Sequence, residues 1–161
     1  MFFLDGTELG EYALNIHPEF AYESEALRKK VTGKINDRPW NGGISQKQKN
    51  WLRGRLDDAK QKNQVVIIFS HFPLLPQTID LILWNNEEII DLIENYKNVK
   101  AYISGHYHEG GYAGKAGIHY VIQKAMSDTH ENSFAIMEIY PDEITIKGYG
   151  NADHLNLKIN Q

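Results

Sequence analysis

Cysteine is absent from this chain of 161 residues. That excludes disulfides, thiolate metal sites and cysteine nucleophiles. No run of apolar residues approaches the ~18 that a membrane span needs. The apolar start, "MFFL", is too short for a signal peptide and lacks a basic flank. A cytoplasmic protein that does not meet a membrane is therefore the expectation. An excess of positive charge is missing too: 17 Lys and Arg against 21 Asp and Glu give a net charge of −4, which leaves no basic footprint for nucleic acid. No internal repeat, low-complexity tract or interdomain linker is visible. What is present is ordinary globular composition, 42% hydrophobic and 24% charged, in a length that points to one domain with a full core.

Strand-like and helix-like segments alternate along the chain. Phe2 to Leu4 reads as a short strand that ends at Asp5-Gly6. Residues 6–44 read as irregular, a long segment of the kind that wraps a site. In "ISQKQKNWLRGRLDDAKQ", Ser45 and Gln48 form a capping box. Trp51, Leu52, Leu56 and Ala59 share one face of the helix that follows. "VVIIFS" at 65–70 and "VKAYIS" at 99–104 read as buried parallel strands. Between them "NNEEIIDLIENY" at 85–96 reads as a helix capped by Asn85 or Asn86. The runs "IHYVIQ", "SFAIMEIY" and "EITIKGYG" suggest a terminal β meander, with a hairpin at Pro141-Asp142. The order predicts an α/β domain with a mixed sheet.

In such sheets, sites gather at the carboxyl ends of the strands. His71 follows the first buried strand, and His106 and His108, in "SGHYH", follow the second. Imidazole nitrogen suits zinc, iron and manganese, so the three are candidate metal ligands expected to converge within a few ångströms. Gly105 eases the sharp turn there. Gly110 and Gly111 fit either a phosphate approach or a simple turn. His119 sits in a strand and reads as structural; His17, His130 and His154 read as solvated. Trp40, Asn41, Gly42 and Gly43 end the long segment just before a helix N-terminus, where an anion can be met. They are candidate substrate contacts, with helix capping as the alternative. Phe72 and Tyr112 are candidates to stack on a base, with core or rim packing as the alternative. Trp51 and Trp84 read as core. Asp57-Asp58 reads as a solvated face, and Asp80 as too isolated to be a ligand.

"FSHFP" followed by "SGHYH" resembles the last two metal motifs of the calcineurin-like metallophosphoesterases. "WNGGISQKQKNWL", "LWNNEE", "GHYHEGGY" and "EIYPDEITIKGYG" extend the likeness to the manganese-dependent ADP-ribose/CDP-alcohol diphosphatases within that superfamily. The resemblance implies a four-layer α/β/β/α sandwich. It also implies two divalent ions, manganese foremost with iron or zinc as alternatives. His71 and His106 would serve the second ion and His108 the first. The activity implied is hydrolysis of a nucleoside-diphosphate-linked pyrophosphate or phosphodiester by metal-bound hydroxide. The Asp-x-His, Gly-Asp and Gly-Asn-His motifs that the family carries upstream do not precede these two here. Residues 1–161 are thus expected to form the C-terminal half of such an enzyme, a single truncated domain. No catalytic residue is assigned within it. The expectations are weak or single-ion binding, no turnover alone, and self-association through the face the missing half would cover. The alternatives are a noncatalytic metal-binding or interaction module, and a cyclic-nucleotide or other phosphodiesterase of the same superfamily.

Overall fold

The computed structural model describes residues 1–159. Its first sheet holds β1 (Phe2–Leu4), β2 (Val66–Ser70), β3 (Val99–Ser104), β4 (Gly111–Lys115) and β5 (Ile118–Ile122) in the spatial order β1-β2-β3-β5-β4. All pairings in it are parallel except that of β4 with β5, so the sheet is mixed as the sequence predicts. The second sheet is an antiparallel meander of β6 (Ser133–Ile139), β7 (Glu143–Gly150) and β8 (Leu155–Lys158). Tyr140 donates its N–H to the Glu143 carbonyl at 2.8 Å and closes the hairpin expected at Pro141-Asp142.

Residue alternation assigns the two faces of the first sheet. Ile68, Tyr102 and Tyr120 point into one core cluster with Leu52 and Leu56 of α2 (Gln46–Gln61) and Ile89 and Ile93 of α3 (Asn86–Glu94). Ile67, Ala101, Ile103 and Val121 point the other way, onto Ile144, Ile146 and Leu157 of the second sheet. Each fully buried Leu or Ile contributes roughly 1.5–3 kcal/mol, so these two layers of apolar contact hold the three-layer stack of helices, sheet and sheet together. The mixed α/β class stands, and the described residues supply the α, β and β layers of the four-layer sandwich.

Several local expectations change. The segment 6–44 is not irregular throughout. It contains α1 (Ala21–Val31) and two single turns of 3-10 helix at Ala13–Asn15 and Pro18–Phe20. Buried residues on α1 are Ser24, Leu27 and Val31, and with a serine among them no apolar stripe marks the helix. The run 118–122 does not open the terminal meander. It crosses back to pair in parallel with β3, so the meander starts at β6 and gains β8, which the sequence reading missed.

Trp84 is buried at 2% exposure, as expected, but Trp51 is 45% exposed and only meets Phe2 edge-on, with ring centroids 6.0 Å apart. Ser45 does cap α2, its hydroxyl accepting from the Gln48 N–H at 3.1 Å. Gln48 does not return the bond; its amide brackets the Asp5 backbone instead, accepting from its N–H at 2.7 Å and donating to its carbonyl at 3.0 Å. Asn85 does not cap α3 either: its side chain clamps Ile44, accepting from the Ile44 N–H at 3.0 Å and donating to the Ile44 carbonyl at 2.8 Å.

Candidate metal centre

β2 and β3 run side by side, with Phe69 opposite Ile103, and each releases a histidine just past its end. His71 follows β2 directly. Gly105 and His106 follow β3, and the Gly105 N–H donates to the His71 carbonyl at 3.0 Å, stitching the two loops together. His106 lies in the left-handed region at φ +64°, inside a tight turn closed by the Tyr107 N–H on the Gly105 carbonyl at 2.8 Å. That conformation is uncommon outside glycine, although histidine, asparagine and aspartate adopt it more readily than other residues, and such positions cluster at functional sites.

The two loops bring His71 Nε2 to 2.9 Å from His106 Nδ1. Phe72 underlies both rings edge-on, with centroids 4.9 Å from His71 and 4.5 Å from His106. The Phe72 carbonyl is itself held by the buried Tyr102 hydroxyl, which donates at 2.9 Å. The far nitrogen of His106, Nε2, lies 3.2 Å from Asn41 Oδ1. His108 is half-exposed, and its Nδ1 lies 2.6 Å from Asp128 Oδ2. An ionised carboxylate only accepts, so Nδ1 of His108 carries a proton and, in the neutral ring, Nε2 holds the lone pair.

Burial, helped by the neighbouring His71 and His108, pushes His106 down to about 4. His71 is lowered as well, first by burial and then by His108. The bond from His108 holds the Asp128 carboxyl below its ordinary range. Both rings of the close pair are thus neutral at physiological pH, the form in which imidazole binds metal.

The donor set can be compared with what a divalent ion needs. Two imidazole nitrogens that share one ion at about 2.1 Å lie roughly 3.0–3.4 Å apart, and the His71–His106 pair is within a small shift of that spacing. The third expected ligand, His108, is engaged by Asp128. Among the described residues no group of three or more His, Asp or Glu side chains forms an ion-binding cluster. The close pair thus matches the nitrogen spacing an ion needs, and among the described residues no carboxylate joins it in such a cluster.

The remaining candidates separate into two groups. Asn41 joins the site through His106. Gly42, Gly43 and Phe72 are enclosed in the core: a Cβ on Gly42 would lie 2.0 Å from the Gly6 carbonyl oxygen, and one on Gly43 would lie 2.5 Å from Leu27. Trp40 is exposed. Tyr112 turns to His119, its hydroxyl 2.7 Å from Nδ1, while Nε2 of that ring donates to the Lys158 carbonyl at 2.8 Å. His119 thereby ties the two sheets together, as its structural reading requires. Gly110, at φ +73°, makes the turn into β4, where a Cβ would strike Lys124.

Asp128 was passed over in the sequence. Its string Asp128-Thr129-His130 spells Asp-x-His, but it follows the other motifs instead of preceding them, and the aspartate partners His108.

Two imidazoles at adjacent strand ends, on a mixed sheet backed by a second sheet, offer the nitrogen donors that divalent ions such as zinc, iron and manganese accept. The family model for calcineurin-like phosphoesterases matches residues 14–110, and the chain belongs to that family. Among curated relatives, a manganese-dependent ADP-ribose/CDP-alcohol diphosphatase of Bos taurus is 32% identical over 120 residues, covering 71% of this chain and 36% of that protein. The Arabidopsis thaliana protein of the same name is 34% identical over 114 residues, covering 68% and 37%. The chain thus spans little more than a third of the length of these relatives. A dimetal phosphatase from Danio rerio superposes with a TM-score of 0.84 at 24% identity, over 99% of this chain and 58% of that one, which shows the shared fold.

Proposed function

We propose that this chain supplies the histidine side of a divalent-metal diphosphatase centre. The protein to which it contributes would hydrolyse a small nucleoside-diphosphate-linked substrate of the ADP-ribose or CDP-alcohol type, with manganese as the ion. The carrying observation is the neutral imidazole pair, 2.9 Å apart at the ends of two adjacent parallel strands. The relatives named for manganese and for these substrates support the choice of ion and substrate class. Divalent ions, when bound, activate water and neutralise phosphoryl charge. The protein's own part is to keep His71 and His106 uncharged and to hold them on the Phe72 ring. Asp128 turns His108 so that Nε2 is its free donor. A pair of divalent ions also needs anionic ligands to sit close together, and the nitrogen pair offers none, so the 161 residues alone should bind ion weakly and turn over nothing.

The test is an assay of ADP-ribose and CDP-choline with manganese, on the 161-residue chain and on a polypeptide carrying an N-terminal partner segment from a relative. Turnover by the longer polypeptide alone supports the reading. A comparable rate from the short chain overturns it.

We further infer self-association through the open side of the two sheets, where Met1, Phe69, Phe134 and Ile139 line an apolar groove of about 370 Å³ and exposed Phe3 stacks on Phe69. No helix among the described residues is long and apolar enough to cross a membrane.

A further inference from the structure

We propose that Asn41 is a positioning residue: it fixes the tautomer of His106 so that Nδ1 is the nitrogen offered to a divalent ion. The inference rests on the metal-site reading above for the ion, but on geometry alone for the ring.

Asn41 is 1% exposed. Its Nδ2 donates to two backbone carbonyls, those of Asn36 at 3.0 Å and Asp80 at 2.7 Å. Both amide protons are thereby used, and the oxygen and nitrogen of the side chain cannot be exchanged without setting a carbonyl-like oxygen against two others. Oδ1 must face His106. An amide oxygen only accepts, so His106 Nε2 carries the proton, and the neutral ring keeps its lone pair on Nδ1. That lone pair points at His71 Nε2, the nitrogen 2.9 Å away.

In the ion-free chain His71 Nε2–H donates to it. To bind an ion, His106 would present Nδ1 without rearrangement, whereas His71 would release its Nε2 proton to solvent and take one up at Nδ1, with no net change in charge. One ring is preset and the other adapts. Asn41 holds its place because Gly42 beside it has no room for a side chain, with a Cβ only 2.0 Å from the Gly6 carbonyl oxygen.

The test uses the 161-residue chain labelled with 15N. Long-range proton–nitrogen spectra of the ion-free protein, recorded above the usual imidazole range, should show His106 protonated at Nε2. Manganese binding is read separately by the electron paramagnetic resonance of free Mn2+. Asn41→Ala should give His106 a mixture of tautomers and weaken manganese binding about tenfold or more, the usual scale for losing an outer partner of a ligand histidine. Asn41→Asp sets an oxygen against both carbonyls and should lower stability, yet it still accepts from Nε2–H, so it should keep the tautomer and lose less affinity than Asn41→Ala.

A wild-type His106 protonated at Nδ1 overturns the proposal. So does equal loss of affinity in both variants with the tautomer unchanged, which is what a merely structural asparagine would give. If the wild-type chain binds no manganese, the metal-site reading falls and the spectra decide on Asn41: a tautomer that changes only in Asn41→Ala supports it, and one that does not change overturns it. Should Asn41→Ala fail to fold, the wild-type spectrum decides in the same way.

Discussion

Protonating the His71–His106 pair puts charge where burial opposes it. His106 titrates near 4 in the folded chain against an ordinary 6.5, so the unfolded state takes up its proton first as pH falls. Stability from this group is complete above 6.5 and is lost as pH drops toward 4. The denaturant midpoint should fall across that window. In His106→Asn, which tolerates the left-handed backbone and does not titrate, the fall should be shallower. An unchanged slope would show that His106 is not the group responsible.

Buried backbone clamps make a second residue-scale prediction. Asn85→Ala strands both the N–H and the carbonyl of Ile44, which has no exposure. With ~1–3 kcal/mol for each unsatisfied group, the variant should lose about 2–6 kcal/mol in urea unfolding. His154→Ala, on the surface, should change stability by less than ~0.5 kcal/mol.

At the scale of elements, α2 should depend on its cap. Ser45→Ala removes the acceptor for the Gln48 N–H and should cost ~1 kcal/mol; unchanged stability in urea unfolding would show the cap to be redundant. The elements that could be read from sequence were those with a strong pattern: the apolar runs of β2 and β3, the amphipathic α3, and the alternation of β6 and β7. α1 escaped because its inward face includes Ser24. β4, "GYAGK", escaped because two glycines and a lysine in five residues carry no strand preference. β5 was found but assigned to the wrong sheet, since a strand pattern does not say which neighbour it pairs with.

The site divides along the same line. Histidines at strand ends were legible because a parallel sheet dictates where its loops emerge. Asn41 meeting His106 across 65 positions, and Asp128 meeting His108 across 20, were not. Those contacts are made by tertiary packing, which leaves no local trace.

For the molecule as a whole, the proposed self-association is tested at the open side of the sandwich. Phe3 stacks on Phe69 with centroids 5.1 Å apart and Phe134 on Tyr149 at 5.0 Å, yet Phe3 and Phe134 remain 69% and 53% exposed. Apolar surface beside the unpaired edges of β1 and β6 favours association. Sedimentation should show dimers or larger species that diminish in Phe134→Lys; a concentration-independent monomer would count against the inferred contact.

The two sheets also differ in how far apart in the chain their partners lie. β6, β7 and β8 are consecutive within residues 133–158, whereas Phe2 must find Ile68 and Ile67 must find Ala101. Closing long loops is slow and pairing neighbours is fast. In pulsed hydrogen exchange during refolding, the amides of Met137 and Ile146 should become protected before those of Phe69 and Ile103; simultaneous protection would mean a single concerted step. Because His71 and His106 hang from the slow sheet, the imidazole pair is set only after the long-range pairings have closed, and its appearance times the end of folding.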